Sequence, residues 1–368
     1  MARAGLGPGW ECLFANDLDP KKAACYAANW GAERLSVRDV ASLTAADLPG
    51  TADLAWASFP CQDLSLAGSY GGLSRARSGT FWEFWRLVRE LRQHDRAPRT
   101  VVLENVCGAL TSHGGRDFHA ICGALAEEGY RFGPLVIDAA RFLPQSRPRL
   151  FVVAFREGAV PSALDAGAPT AAWHTPRVLA AHSTLETRLR ERWVWWRLAE
   201  PPRPDLSLAD LIEAVPAGVE WGRRAETRRL IRMMSGENRR KLRAAARLGR
   251  PVVGTVYKRT RALPGGGRAQ RAEVRFDGIA GCLRTPTGGS SRQTVLIVNG
   301  YNARSRLLSP REAARLMGLP EAYQLPANYN EAYHIAGDGV AVPAVRHLAR
   351  HLLEPLAGGR AADGTEAA

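Results

Sequence analysis

Cys61 follows a short apolar run, residues 52–57, that is closed by Ser58-Phe59-Pro60. Proline cannot donate to a ladder and biases Phe59 toward an extended shape, so the thiol stands where a strand opens into a loop. In open α/β sheets that is the ligand-binding edge. Taken alone, such a cysteine is either a small buried hydrophobe or a nucleophile, and a nucleophile needs a thiolate and a nearby acid or base. One acid occupies a comparable place. Arg99-Thr100-Val101-Val102-Leu103 reads as a buried strand that ends in Glu104-Asn105. A carboxylate at the mouth of a buried strand is costly unless it is paired or used. Glu104 comes 43 positions after Cys61, a separation that suits neighbouring parallel strands joined by a crossover helix. Gln145, Arg147 and Arg149 then precede the apolar run Leu150–Phe155. Guanidinium groups suit phosphate and carbonyl oxygens through their fixed set of donors, although two isolated arginines would be ordinary surface charges.

These groups need a scaffold, and the sequence supplies signals for one. Cys12-Leu13-Phe14-Ala15 reads as a strand that ends at Asn16-Asp17, and Asp19-Pro20 opens a helix stopped by Gly31. Strand, acid, helix is the second unit of a nucleotide-binding α/β sheet, where the acid accepts from ribose hydroxyls; Asp17 read by itself is a helix-flanking acid. Phe81, Trp85, Val88 and Leu91 fall at helical spacing after a glycine-rich loop over 71–80. A helix is expected over Phe118–Glu128, a strand over Leu135–Ile137 and a final helix over Val345–Leu356. Gly5 is expected to cap an opening helix. Ser309, Pro310 and Glu312 form an N-cap, first-turn proline and capping box. The clustered Trp193, Trp195 and Trp196 read as core within a linker and helical insertion.

The chain has 368 residues and a net charge of +14. Residues 221–275 hold 17 Lys/Arg against 3 acids, an excess equal to that of the whole chain. A neutral body with one basic segment points to a phosphate-binding surface, against the plainer reading of a solvated charged face. The six cysteines lack metal-type spacing, and neither a signal peptide nor a membrane-length apolar run is present. These features predict a reducing, cytoplasmic protein without a metal.

Several motifs follow one another in a familiar order: Pro60-Cys61-Gln62 with Ser65 and Gly68; Arg77-Ser78-Gly79-Thr80-Phe81; Glu104-Asn105-Val106; Gln145, Arg147 and Arg149; Arg306 through Glu312; and Gly337-Asp338-Gly339-Val340. Together they resemble the bacterial DNA cytosine-5 methyltransferases. The resemblance implies a Rossmann-like S-adenosylmethionine-dependent sheet with a smaller, inserted target-recognition domain. It places the catalytic domain at 1–165, linker and recognition domain at 166–305, returning motifs at 306–358 and a disordered tail at 359–368. Cys61 becomes the nucleophile and Glu104 the acid at N3 of a flipped-out cytosine in duplex DNA. Arg149 is assigned to the target base, and Arg147 to the cysteine loop or backbone phosphates. Asp17, Leu18, Asp39, Val40, Pro60, Asp338 and Val340 are the implied cofactor contacts. Gln62, Ser65, Arg77, Gln145, Thr285, Ser290, Ser291 and Arg292 are the implied DNA contacts, the last four chosen for base-reading chemistry.

Two departures stand out. The family's first strand and glycine-rich turn have no counterpart, so they are expected upstream of residue 1, and Asp338 replaces the usual asparagine. A monomer is expected, associated with the nucleoid through DNA, with a restriction endonuclease as a possible functional partner. The alternatives are a truncated, inactive DNA-binding relative and an RNA cytosine-5 methyltransferase. A thiol hydrolase is disfavoured because no histidine accompanies the strand ends near Cys61 or Glu104.

Overall fold

The computed structural model describes residues 1–59, 79–156, 158–262, 266–284 and 292–358. Helix α1 (Ala2–Leu6) is capped by Gly7 in the left-handed region, φ 85°. The expected cap, Gly5, lies inside the helix instead. A Cβ there would collide with Val345 and the carbonyl of Val342, so this glycine serves close packing rather than termination. Strand β1 (Ala15–Asn16) leads to α2 (Pro20–Trp30), with Asp19 accepting from the Lys21 amide and Pro20 in the first turn, as read from sequence. Strand β2 (Leu35–Ser36) pairs with β1 in parallel.

The main sheet is built from β3 (Leu54–Ser58), β4 (Thr100–Val106), β5 (Arg131–Asp138) and β6 (Pro148–Phe155). Helix α3 (Thr80–Gln93) links β3 to β4, and α4 (Arg116–Glu127) links β4 to β5. The order is β3-β4-β6-β5, with β3 parallel to β4 and the other pairs antiparallel. Strand β4 is covered on both faces. Val101 and Leu103 point into the core under α3 and α4, and Val102 points into the core shared with the carboxyl-terminal helices. That double burial is why the strand reads as one continuous apolar run rather than an alternating one. Strand β5 extends beyond the expected Leu135–Ile137 because β6 offers partners along its whole length.

The segment after β6 carries α5 (Pro176–Ser183) and α6 (Thr187–Arg190). Trp173, Trp193 and Trp196 are all buried against the main sheet, and the Trp196 indole donates to the Val153 carbonyl at 3.1 Å. Trp193 and Trp196 are core, as expected, whereas Trp195 is half-buried and packs against that core from its edge. Helix α7 (Leu208–Leu211) precedes two basic helices, α8 (Arg224–Arg232) and α9 (Gly236–Arg247). A second sheet follows: β7 (Val252–Ala262), β8 (Arg268–Arg275), β9 (Thr294–Asn299) and β10 (Asn302–Leu307), antiparallel in the order β10-β9-β7-β8.

Helix α10 (Pro310–Leu316) has the expected capping box at Ser309 and Glu312. Its Glu312 is fully buried and ion-paired to an equally buried Arg306 at 2.6 Å. Helix α11 (Tyr329–Asp338) and α12 (Val342–Leu348) follow. The last helix starts at Val342, earlier than expected, and passes through a π-turn over Ala349–Leu353 into α13 (Glu354–Leu356). Among the described residues no helix is long and apolar enough to cross a membrane.

Candidate active site

Register brings the acid to the loop that carries the thiol. Ser58, the last residue of β3, is paired in parallel with Glu104 of β4. The next backbone group is held as well: the Asn105 side-chain amide donates to the Phe59 carbonyl at 2.9 Å, and its oxygen accepts from the Val106 amide. The Phe59 ring packs on Phe81 of α3 with centroids 5.6 Å apart. Residue 59 is therefore pinned by a backbone bond and a ring contact. Pro60, Cys61, Gln62, Ser65 and Arg77 lie outside the described residues.

Glu104 is 7% exposed. Burial raises its pKa above the ordinary glutamate value; Arg149 and the Ser58 hydroxyl pull the other way and lose. Arg149 Nε lies 3.4 Å from a Glu104 carboxylate oxygen. The guanidinium comes from the second residue of β6, and Arg149 pairs with Val106 across the antiparallel ladder. The strand mouth thus holds an acid that retains its proton more readily than usual beside a fixed cation. Such a carboxyl group is equipped to give or share a proton with a ring nitrogen.

The other two residues of the Gln-x-Arg-x-Arg motif have different places. Arg147 is 1% exposed and donates to three backbone carbonyls: Leu283 at 2.8 Å, and Gly337 and Gly339 at 2.6 Å each. Burial, then the neighbouring Arg149, lowers its pKa to about 10, so it stays charged at neutral pH. Its expected role toward backbone phosphates is corrected, since a guanidinium so enclosed fastens the segment before β9 and the turn after α11 to β6; the cysteine loop lies outside the described residues. Gln145, expected to face DNA, is also fully buried. Its amide donates to the Leu316 carbonyl at 2.6 Å and its oxygen accepts from the Leu283 amide at 3.3 Å. Both side chains are turned inward onto backbone groups of the protein, and the buried Arg147 Nε has no partner among the described residues.

The implied cofactor residues cluster at the β1–β2 edge. Asp17 accepts from the Asp19 amide, and Asp39 from the Ala41 amide, each through one carboxylate oxygen. The Asn16 side chain ties the two strand ends together by donating to the carbonyls of Ser36 and Arg38. The second oxygens of Asp17 and Asp39 have no hydrogen-bond partner among the described residues, and Leu18 between them is 64% exposed. Val40 is half-buried beside Asp39. Two free acceptors and an open apolar side chain fit a nucleoside: hydroxyls and an amino group for the acids, a ring face for Leu18.

Asp338 ends α11 and forms a 2.8 Å ion pair with Lys22 of α2. Val340 is 4% exposed, so it contributes packing from behind. Lys22 escaped the sequence reading because its partner is more than three hundred residues away and no local pattern joins them. Ser58 escaped it too, since a serine at a strand end carries no signal of its own.

In the segment expected to recognise the target, Thr285, Ser290 and Ser291 lie outside the described residues. Arg292 is engaged internally. It donates to the Asn330 side chain and sits over the Tyr329 ring, 5.4 Å from its centroid. In this structure it anchors the segment that precedes β9 to α11.

The architecture defines an α/β methyltransferase-type fold. Solved structures of the S. pombe Dnmt2 methyltransferase (TM-score 0.56, 17% identity, 94% of this chain and 92% of that one) and of the Entamoeba histolytica methyltransferase EhMeth (TM-score 0.55, 12% identity, 93% and 90%) share it. The model for C-5 cytosine-specific DNA methylases matches residues 2–354, and the chain belongs to that family. Among its relatives are type II methyltransferases: M1.ScrFI of Lactococcus lactis subsp. cremoris, 26% identical over 94% of this chain and 73% of the relative, and M.HhaI of Haemophilus parahaemolyticus, 25% identical over 94% and 88%.

Proposed function

We propose that this chain methylates C5 of cytosine in duplex DNA through a covalent cysteine adduct, using S-adenosylmethionine. The observation that carries the reading is the buried Glu104, its pKa raised by burial, beside Arg149 and in register with the strand end that leads to Cys61. Cytosine C5 is a weak nucleophile. Addition of the Cys61 thiolate at C6 moves electron density to C5, while Glu104 holds a proton at N3 and Arg149 steadies the O2 edge. Asn105, by fixing Phe59, sets where the cysteine loop leaves the sheet. Asp17, Leu18 and Asp39 would hold the nucleoside half of the cofactor, which supplies an electrophilic methyl group when bound. A stacked cytosine is unreachable at C6, so the base must be flipped out, as is general for methyltransferases.

The segment 166–305 supplies target recognition in this reading, with Thr285, Ser290 and Ser291 as candidate base contacts. Gln62, Ser65 and Arg77 remain candidate contacts around the flipped nucleotide. Bisulfite sequencing of DNA from cells that express the chain tests the proposal. Protected cytosines at one recurring site, absent with Cys61→Ser, are the expected result. Unprotected DNA despite soluble, folded protein would sink it.

A further inference from the structure

The recognition-segment sheet has two occupied faces. Val295, Val253 and Ile297 pack into the core shared with the main sheet, whereas Val256, Ala272, Val274, Leu296 and Val298 pack against Leu230 and Met234 of the α8–α9 pair. The two basic helices therefore cover the side of this sheet turned away from the main core. Their apolar residues face the sheet and their arginines face solvent. Arg224, Arg228 and Arg232 recur at i, i+4 and i+8 along α8, and Arg239, Arg243 and Arg247 do so along α9, all exposed. Arg239 donates to the Arg232 carbonyl at 3.0 Å, so the two rows meet.

Four properties set this surface apart from an ordinary solvated face. Like charges at i, i+4 destabilise a helix, and both rows have them. Arg224 stands in the first turn of α8, where the helix dipole disfavours a cation. Among the described residues, Arg224, Arg228, Arg240, Arg243 and Arg247 form no ion pair; the exception on these helices is Lys241 with Glu237. The cations are nearly all arginine, the residue whose fork matches phosphate oxygens. Local rules broken together in this way mark a surface shaped for a partner. Each row is about 12 Å long, a length over which a duplex offers about seven phosphates.

We propose that the outer face of α8 and α9 is a second, sequence-independent site for duplex DNA, separate from the site at Glu104. The inference rests on duplex DNA being the substrate, and it adds that one chain holds two duplex segments at once. A bound protein can then pass between segments without release.

The test is the stoichiometry of the full chain with a non-target duplex of about 15 base pairs at low salt. Two duplexes per chain are expected. The triple variant Arg240→Gln, Arg243→Gln, Arg247→Gln is expected to bind one, and the weaker site's salt dependence should disappear with it. The matching triple lysine variant keeps the charge and should again bind two, which separates electrostatics from folding. One duplex per wild-type chain, or two on the glutamine variant, overturns the proposal. So does capture by phosphatidylserine vesicles through these arginines with one duplex per chain. Methylation by the wild type is read separately: its loss with two duplexes still bound would sink the proposed activity and leave this site standing.

Discussion

Arginine does opposite things at the two ends of this molecule. At the mouth of the main sheet, Arg147 is enclosed and met by backbone carbonyls, and Arg149 is held beside Glu104 with only part of its side chain open. On the outer face of α8 and α9, arginines of the same chemistry stand in water and form no ion pair among the described residues. A buried guanidinium is costly unless its donors are met by well-placed acceptors, and then it fixes geometry. An exposed one costs little, fixes nothing, and is available to an outside polyanion. The contrast separates arginines that build the site from arginines that can recruit a substrate, and the predictions probe each side of it.

The largest effect is expected at the acid and the thiol. Cys61→Ser should abolish methyl transfer, and Glu104→Gln should slow it by about 10²–10⁴, both with DNA binding retained. Single-turnover methylation with excess enzyme measures this. A Glu104→Gln rate close to wild type would break the claim that the buried acid serves the reacting ring.

Next comes Arg147. Hydrogen bonds from a charged donor contribute about 1.5–3 kcal/mol each, and Arg147→Met would leave three carbonyls unmet in a buried place. A loss of about 3 kcal/mol or more in stability is expected from denaturant melts, and Arg147→Lys should recover only part of it because one ammonium cannot reach all three carbonyls. A Met variant as stable as wild type would show that the guanidinium is not the fastening that joins Leu283, Gly337 and Gly339. Arg240→Met, on the exposed side, should change stability by less than about 0.5 kcal/mol.

A smaller, signed effect separates Glu104's burial from its pairing. Its folded pKa is raised, so the proton is held more tightly in the native state than in the unfolded chain. Stability tied to this group is complete below the unfolded glutamate pKa and is lost as pH rises through the folded value. Glu104→Gln lacks this loss. The melting-temperature difference, variant minus wild type, should therefore grow as pH rises from the acidic range toward neutrality. A difference that shrinks over that window would mean that Arg149, not burial, dominates.

Much of this was legible in the sequence where the signal was local. The continuous apolar run of β4, the Ser309–Glu312 box and the Asp19-Pro20 helix start are each written within a few residues, and the structure has them. What was hidden depends on contacts across the chain. Gln145 and Arg147 occur in a motif beside the proposed reactive site, yet their acceptors are carbonyls at 283, 316, 337 and 339, and nothing in a five-residue pattern distinguishes a group that points inward from one that points out. Gly5 was misread for a similar reason: a glycine near a helix end signals termination locally, while the need here is for room beside Val345.

The smallest expected effect concerns the position where an acid replaces the family's asparagine. Lys22 is half-buried; burial alone would lower its pKa, but its hydrogen bond to Asp338 and the charges of Asp338 and Asp17 more than reverse this and hold it charged. The pair thus answers the extra negative charge at the end of α11 with a positive one from α2. Both partners are substantially exposed, so the ion pair itself is worth at most about 1 kcal/mol and weakens with salt. Asp338→Asn should barely change the melting temperature. It would, however, leave the Lys22 cation without its direct partner, with only the more distant charges of Asp17 and Asp19 to offset it near the proposed cofactor residues. Cationic S-adenosylmethionine should then bind more weakly while its neutral product S-adenosylhomocysteine is little affected, a split that equilibrium binding of both ligands would reveal. Equal weakening of the two would assign Asp338 a role in shape rather than charge, and Lys22→Met combined with Asp338→Asn should restore the wild-type ratio if charge is the cause.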